Sequence, residues 1–113
     1  MSKFEKPLTD GIKEKANRLF VFLKDKGDYA TKEEIGAFLG VSNERSVRDV
    51  IALLATKKPI ISHSGGKGYK LARTPDDLAE VERTWAELSS RMEEIERRIT
   101  PLIAFREKIL RNR

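Results

Sequence analysis

The sequence predicts a mainly α-helical protein with one small β-hairpin and a long C-terminal helix. Three observations support this prediction. Apolar residues recur at helical spacing through the first half of the chain, a glycine-rich turn then separates two short strand-like stretches, and an apolar repeat with spacings of three and four occupies the last third. At 113 residues the chain has room for one compact domain and one extended element.

The first predicted helix begins at Thr9 or Asp10, either of which is a good N-cap residue. Gly27 is typical of the residue that follows a helix C-terminus. Val21 and Phe22 lie off the apolar face, so we expect them to need a second packing partner. The residues of that face follow a 3.6-residue period: Ile12, Ala16, Leu19, Phe20 and Leu23.

A second, shorter helix is predicted to begin with a capping box. In this motif the Thr31 hydroxyl accepts from the backbone of Glu34, and the Glu34 carboxylate reaches back to the Thr31 amide. Ile35, Phe38 and Leu39 recur at helical spacing. We therefore expect these three residues to form the buried face of this helix.

A glycine turn leads into a third helix. Gly40 permits the turn because glycine adopts left-handed backbone conformations at little cost, and Ser42 or Asn43 then caps the helix. Its apolar residues lie at i, i+3, i+4 and i+7: Val47, Val50, Ile51 and Leu54. Its first turns are polar on or near the exposed side: Asn43, Glu44, Arg45, Ser46, Arg48 and Asp49.

A β-hairpin is predicted after the third helix. Residues 60–64 form a strand by β-branching and alternation, residues 65–68 a tight glycine turn, and residues 69–72 the returning strand. A two-stranded hairpin is not stable alone, so it must pack against the helices. Helix, helix, turn, helix and hairpin follow one another as they do in a winged helix.

The final predicted helix begins at Thr74 and Pro75, a cap residue followed by proline at the first helical position. Its apolar residues have the heptad spacing of a coiled coil: Leu78, Val81, Trp85, Leu88, Met92, Ile95, Ile99 and Leu102. Parallel pairing of two copies is mildly favoured, because Arg91 would then face Glu96 of the second copy, whereas antiparallel pairing sets like charges opposite each other.

Pro101 interrupts this repeat, so we expect a break or a kink there, followed by a short apolar segment that folds back on the long helix or on the first one. The predicted domains are therefore a compact domain over residues 1–73 and a dimerisation helix over residues 74–113.

The positive charge of the chain, +5 in total, belongs to the first of these domains. Residues 1–73 contain 15 lysines and arginines against 9 acidic residues, a balance of +6, whereas residues 74–113 contain 8 against 9, a balance of −1. A basic compact domain is suited to the phosphate backbone of nucleic acid.

Two segments resemble a known family. The segment over residues 35–42 (IGAFLGVS) resembles the helix-turn-helix of bacterial regulators, and the segment over residues 65–71 (GGKGYKL) resembles the wing of the biotin-repressor DNA-binding domain. Residues 31–72 are thus similar to a winged helix-turn-helix of that type, with one additional residue between Ser42 and Val47. No ligase domain follows, so biotin chemistry is not implied.

The resemblance implies binding of double-stranded DNA, with the third helix in the major groove, where arginine bonds guanine and asparagine bonds adenine. The expected contacts from this helix are Ser42, Asn43, Arg45, Ser46 and Arg48. Phosphate or minor-groove contacts are expected from Lys32, Ser64, Lys67 and Lys70. Glu44 and Asp49 would either accept from cytosine or orient the arginines.

Composition argues against several other classes of function. The chain has no cysteine and a single histidine, His63, so neither a metal site nor a serine triad is expected. The glycine turn lacks the spacing of a phosphate loop, and no pair of carboxylates has a catalytic pattern. We expect no enzyme activity, no cofactor, no membrane segment and a cytoplasmic location.

Two hypotheses follow. The first is a homodimeric, sequence-specific transcriptional regulator, similar to small prophage and mobile-element proteins, whose dimer contacts come from the coiled-coil residues of the last helix. The second is a protein-interaction module, in which the winged helix is a scaffold and the long helix binds a partner complex.

Overall fold

The structure is a computed structural model that describes residues 10–63 and 65–112. It contains helices α1 (Asp10–Lys26), α2 (Lys32–Leu39) and α3 (Glu44–Ala55), strands β1 (Ile60–His63) and β2 (Gly68–Leu71), a short 3-10 turn at Pro75–Asp77 and helix α4 (Leu78–Arg111). The prediction of a mainly helical chain with one hairpin and a long C-terminal helix is confirmed.

The chain forms two units, the first ending at Val81 and the second beginning at Glu82. The first unit thus extends beyond residue 73, where the sequence-based boundary was placed. It does so because the backbone amides of Arg73 and Thr74 donate to Asp77, which also pairs with Lys70 of β2. These bonds tie the start of α4 to the hairpin.

Helices α1 and α3 supply most of the core of the first unit. Their amphipathic spacing places one face of each helix in the interior, where a buried leucine or isoleucine contributes about 1.5–3 kcal/mol. Leu19 and Leu23 are each 1% exposed. The buried apolar residues of α1 and α3 are Ala16, Leu19, Leu23, Val47, Val50, Ile51 and Leu54.

Helix α2 begins and ends as predicted. Thr31 Oγ1 accepts from the backbone N of Glu34 at 3.1 Å, and the Glu34 carboxylate accepts from the Thr31 amide at 3.4 Å. Gly40 has φ 71°, the left-handed conformation that ends the helix. At Gly36 a Cβ atom would lie 2.9 Å from the carbonyl oxygen of Val41, so α2 and the following turn approach more closely than a larger residue allows.

The prediction that Phe38 is buried is wrong. Ile35 and Leu39 are buried, but Phe38 is 38% exposed. Its ring stacks on Phe22 at a centroid distance of 4.4 Å, with the guanidinium of Arg18 5.3 Å from its centroid. Helix α2 is only eight residues long, and Phe38 contacts α1 through Phe22 and Arg18 while part of its ring stays exposed.

Strands β1 and β2 are antiparallel, with Ile60 opposite Leu71. A bridge between Ala30 and Tyr69 ties the hairpin to the segment between α1 and α2, because each amide donates to the carbonyl of the other residue at 2.8 Å. Gly68 has φ 100°, and a Cβ atom there would collide with the Ala30 carbonyl, so glycine is required at this position.

Helix α4 runs without interruption from Leu78 to Arg111, with Pro101 inside it. The alternative of a break followed by a separate short segment is therefore wrong, whereas the alternative of a kink at Pro101 stays a prediction. Thr100 Oγ1 donates to the Glu96 carbonyl at 2.9 Å, and helix-forming residues flank the proline on both sides. No helix in the described part of the chain combines the length and the apolar character needed to cross a membrane.

Candidate nucleic-acid interface

The first turns of α3 present an exposed polar face. Asn43 caps the helix, since its Oδ1 accepts from the backbone N of Arg45 at 2.8 Å and of Ser46 at 3.4 Å. The side chain of Arg45 is exposed and forms no hydrogen bond or ion pair with any other described residue. Ser42 is also exposed. This part of α3 is held in place by its cap and its buried side, and its polar side chains point outward.

Glu44 connects this face to the start of α2. Its Oε1 accepts from Lys32 Nζ at 2.6 Å and from Arg48 Nη2 at 2.8 Å. The hydrogen bond from Lys32, with smaller contributions from the charges of Lys32 and Arg48, lowers the pKa of the Glu44 carboxyl. Glu44 thus contacts Arg48, as orientation of an arginine would require, and both roles expected for Glu44 stay predictions.

Lys32 lies between two grooves. One, of about 550 Å³, lies between α2 and α3 and is lined by residues that include Gly36 and Gly40. The other, of about 230 Å³, is lined by the start of α2 and by hairpin residues that include His63 and Tyr69. Lys32, at the start of α2, therefore lies near both α3 and the hairpin.

The hairpin contributes one free cation to this surface within the described residues. Lys67 at the tip is exposed and has no ion pair with another described residue. Ser64 lies outside the described residues. His63 Nδ1 accepts from the Gly65 amide at 2.9 Å, and its ring meets Tyr29 edge-on at 5.4 Å, so this side chain stabilises the hairpin turn.

Lys70 was expected to contact DNA, but the structure gives it a different role. Its ammonium donates to Asp77 Oδ1 at 2.7 Å, and the two side chains are 23% and 8% exposed. Asp77 Oδ2 also accepts from the Arg73 and Thr74 amides. The hydrogen bond from Lys70, followed by these two backbone bonds, lowers the pKa of Asp77 to about 2, and the same pair raises the pKa of Lys70. Asp77 is therefore a buried residue that completes the capping box at Thr74 and also pairs with Lys70.

Helix α4 presents a second candidate surface. None of its described residues is buried. Val81 is partly exposed, and the other coiled-coil residues each expose 42% to 70% of their surface: Leu78, Trp85, Leu88, Met92, Ile95, Ile99 and Leu102. Further along, the apolar surface continues through Ile103, Phe105, Ile109 and Leu110. Large exposed apolar patches are typical of interaction surfaces, which makes this stripe a candidate for one.

Comparisons with known proteins complete this description. Protein-family models, curated proteins and solved structures all gave no match to the chain. In the part of the chain that the structure describes, histidine and acidic side chains do not gather into a group able to hold a metal ion.

Sequence reasoning missed two features of the candidate interface. The Lys32–Glu44 ion pair joins residues 12 positions apart, and only the crossing of α2 and α3 brings them together. The engagement of Lys70 depends on the position of Asp77, seven residues away beyond the end of β2. No local sequence signal predicts either pair.

Proposed function

We propose that this protein binds double-stranded DNA sequence-specifically as a winged helix-turn-helix protein, with α3 in the major groove and the hairpin against the backbone. One observation supports this above all: α3 buries its later, apolar turns against α1 while its capped, polar first turns stay exposed beside the start of α2. The Gly40 turn and the hairpin bridged at Ala30 occur in the order that this fold requires.

Each cation of the surface has a chemically suitable target. Arg45 and Arg48 match the bidentate acceptors of guanine. Asn43 uses its Oδ1 to cap α3, so its side-chain NH₂ is the group left to donate, and it matches N7 of either purine. Lys32 and Lys67 match backbone phosphates, which position the protein without specifying sequence. Lys70 is left out of the proposed contacts because Asp77 holds its ammonium.

Fluorescence anisotropy on a mixed-sequence duplex tests the electrostatic part of this proposal. With two phosphate contacts from each of two subunits, about four in total, the affinity should fall roughly a hundredfold between about 50 and 200 mM salt. Weak binding with little dependence on salt would favour the protein-interaction module.

A matched pair of variants tests the surface itself. Arg45→Ala removes an unpaired arginine from α3 and should weaken binding to a selected site about tenfold or more, because one bidentate base contact is worth about 1–3 kcal/mol. Arg111→Ala removes the same charge from the last turn of α4 and should change the affinity less than about twofold. Equal effects from the two variants would contradict the proposal.

We propose further that two copies pair through α4 as a coiled coil. The support is the unbroken helix together with the exposed residues at spacings of three and four. A dimer presents two α3 helices, so we expect a target of two half-sites, as a repeat or a palindrome, and a role in regulating transcription.

Sedimentation equilibrium tests the pairing. Leu88→Glu places a charge on the apolar stripe and should convert the dimer to monomer, whereas Ser90→Glu on the polar side should leave it dimeric. A wild-type chain that stays monomeric at micromolar concentrations would exclude the homodimer.

A further inference from the structure

We infer that Glu44 selects the base pair that the candidate interface accepts, by exchanging its ion pair with Lys32 for the exocyclic amine of a cytosine. This inference rests on the proposed DNA binding. It concerns an acidic side chain that contacts both Lys32 and Arg48, where a carboxylate opposes the approach of phosphate.

Glu44 is placed to act in this way. It is the first residue of α3, next to the Asn43 cap, and its side chain is 61% exposed. Both of its ion pairs use the same oxygen, Oε1. Lys32 is the less exposed partner, at 31%, and it borders both the groove toward α3 and the groove toward the hairpin.

Binding of DNA gives the Lys32 ammonium a second acceptor. A backbone phosphate at the start of α2 competes with the Glu44 carboxylate for the same ammonium. When the phosphate takes Lys32, Glu44 keeps only Arg48 and needs a new donor, because a carboxylate can only accept hydrogen bonds. In the major groove the bases offer donors only from the amines of cytosine and adenine.

The spacing of Glu44 and Arg48 favours cytosine. The two residues are one helical turn apart on the same face, with side chains that already meet at 2.8 Å. A C·G pair presents an amine on the cytosine and two adjacent acceptors on the guanine, which match a carboxylate and a guanidinium side by side. An A·T pair offers the amine but lacks the guanine edge that arginine binds bidentately.

The test is selection of duplexes from a random library by the wild-type protein and by two variants. Glu44→Gln removes the charge of Glu44. Glu33→Gln removes the same charge from an exposed neighbouring residue that has no ion pair with another described residue. Anisotropy on the selected site, and on the site with the C·G pair changed to A·T or T·A, then measures the base preference of each protein.

The wild-type protein and Glu33→Gln should both select a cytosine and lose about tenfold in affinity when it is replaced. Glu44→Gln should lose less than about twofold on the same change. It should also bind mixed duplex more tightly, with a steeper salt dependence by about one in log–log slope, since Arg48 is released for phosphate and a carboxylate that opposes phosphate is removed.

A third variant tests separately the two steps of the exchange, which are the transfer of Lys32 to a phosphate and the hydrogen bond from the base to Glu44. Lys32→Ala should weaken binding to every duplex about equally and keep the preference for cytosine, because it removes a phosphate contact and leaves the carboxylate free to accept from the base. Circular dichroism of each variant checks that α3 remains helical.

The outcomes distinguish this inference from the proposed function. If the wild-type protein binds no duplex, both are overturned. If it binds with steep salt dependence but Glu44→Gln keeps the same base preference, the inference about Glu44 is wrong and the proposed DNA binding is not contradicted. The same conclusion follows if the selected base is adenine.

Discussion

The two units of this protein differ in whether their apolar side chains are buried. In the first unit, apolar side chains from α1, α2, α3 and the hairpin form one core, and Leu19, Ile35 and Ile61 are each at most 1% exposed. In the described residues of the second unit, no apolar side chain is buried. The first unit is thus stabilised by its own packing, whereas the apolar stripe in the described part of the second stays exposed.

The polar contacts differ in the same way. In the first unit some of them join different elements, as in Lys26–Glu34 and Lys32–Glu44. In the described part of the second unit the Arg97–Glu93 ion pair, at 3.8 Å, is local, and both of its side chains are more than 60% exposed. Contacts between residues one turn apart stabilise a helix but cannot define a tertiary fold.

The largest expected effect on stability comes from shortening a buried side chain of α1. Leu19→Ala should lower the free energy of unfolding by about 2–5 kcal/mol, because it leaves a cavity at a fully buried site. Val21→Ala on the same helix, at a side chain 52% exposed, should change it by less than about 0.5 kcal/mol. Urea denaturation measures both, and similar values would contradict the assignment of this core.

Pro101→Ala tests the second unit. Because no described side chain of α4 is buried, intrinsic helix propensity should contribute more to its stability than it does in the first unit. A proline inside a helix is about 3 kcal/mol less favourable than alanine, so the substitution should raise the stability and helical signal of α4. Pro75→Ala, at the first position of its helical turn, should have little effect. A lower helical signal for Pro101→Ala would mean that a bend at this residue is needed for pairing.

The pH dependence of stability should reflect the ion pair between Asp77 and Lys70. Its pKa is lowered from 3.8 to about 2, so its ion pair stabilises the fold fully above about pH 4 and loses that contribution as the pH falls toward 2. The Tm should be nearly constant from about pH 7 to 5 and fall below about pH 4. Asp77→Asn should lower the Tm by several degrees at neutral pH and flatten this acid-side decrease. An unchanged acid profile in the variant would show that other carboxyls are responsible.

The smallest effect in this series is expected at a helix cap. Thr31→Ala should cost about 1 kcal/mol, because it removes the side-chain acceptor for the Glu34 amide. Thr31→Ser keeps the hydroxyl and should retain most of the stability. Equal losses for the two variants would show that packing of the threonine methyl, and not the cap, accounts for the change.

Much of the local structure was determined by the sequence alone. The Thr31 capping box, the left-handed Gly40, the Asn43 cap and the buried face of α3 all lie where the residues predicted them. Each depends on interactions within about one turn of helix or one tight turn, so the residue types and their spacing are sufficient. Pro101 is the local exception, because the turns on both sides favour a continuous helix.

The tertiary structure decided which polar residues are available to a ligand. Arg45 and Lys70 are both basic residues on predicted surface elements, yet the first is free of ion pairs with described residues and the second is held by Asp77. Likewise, Glu44 meets Lys32 only because α2 crosses α3. Periodicity assigns a residue to a face of its own element, but the neighbours of that face depend on how separate elements pack together.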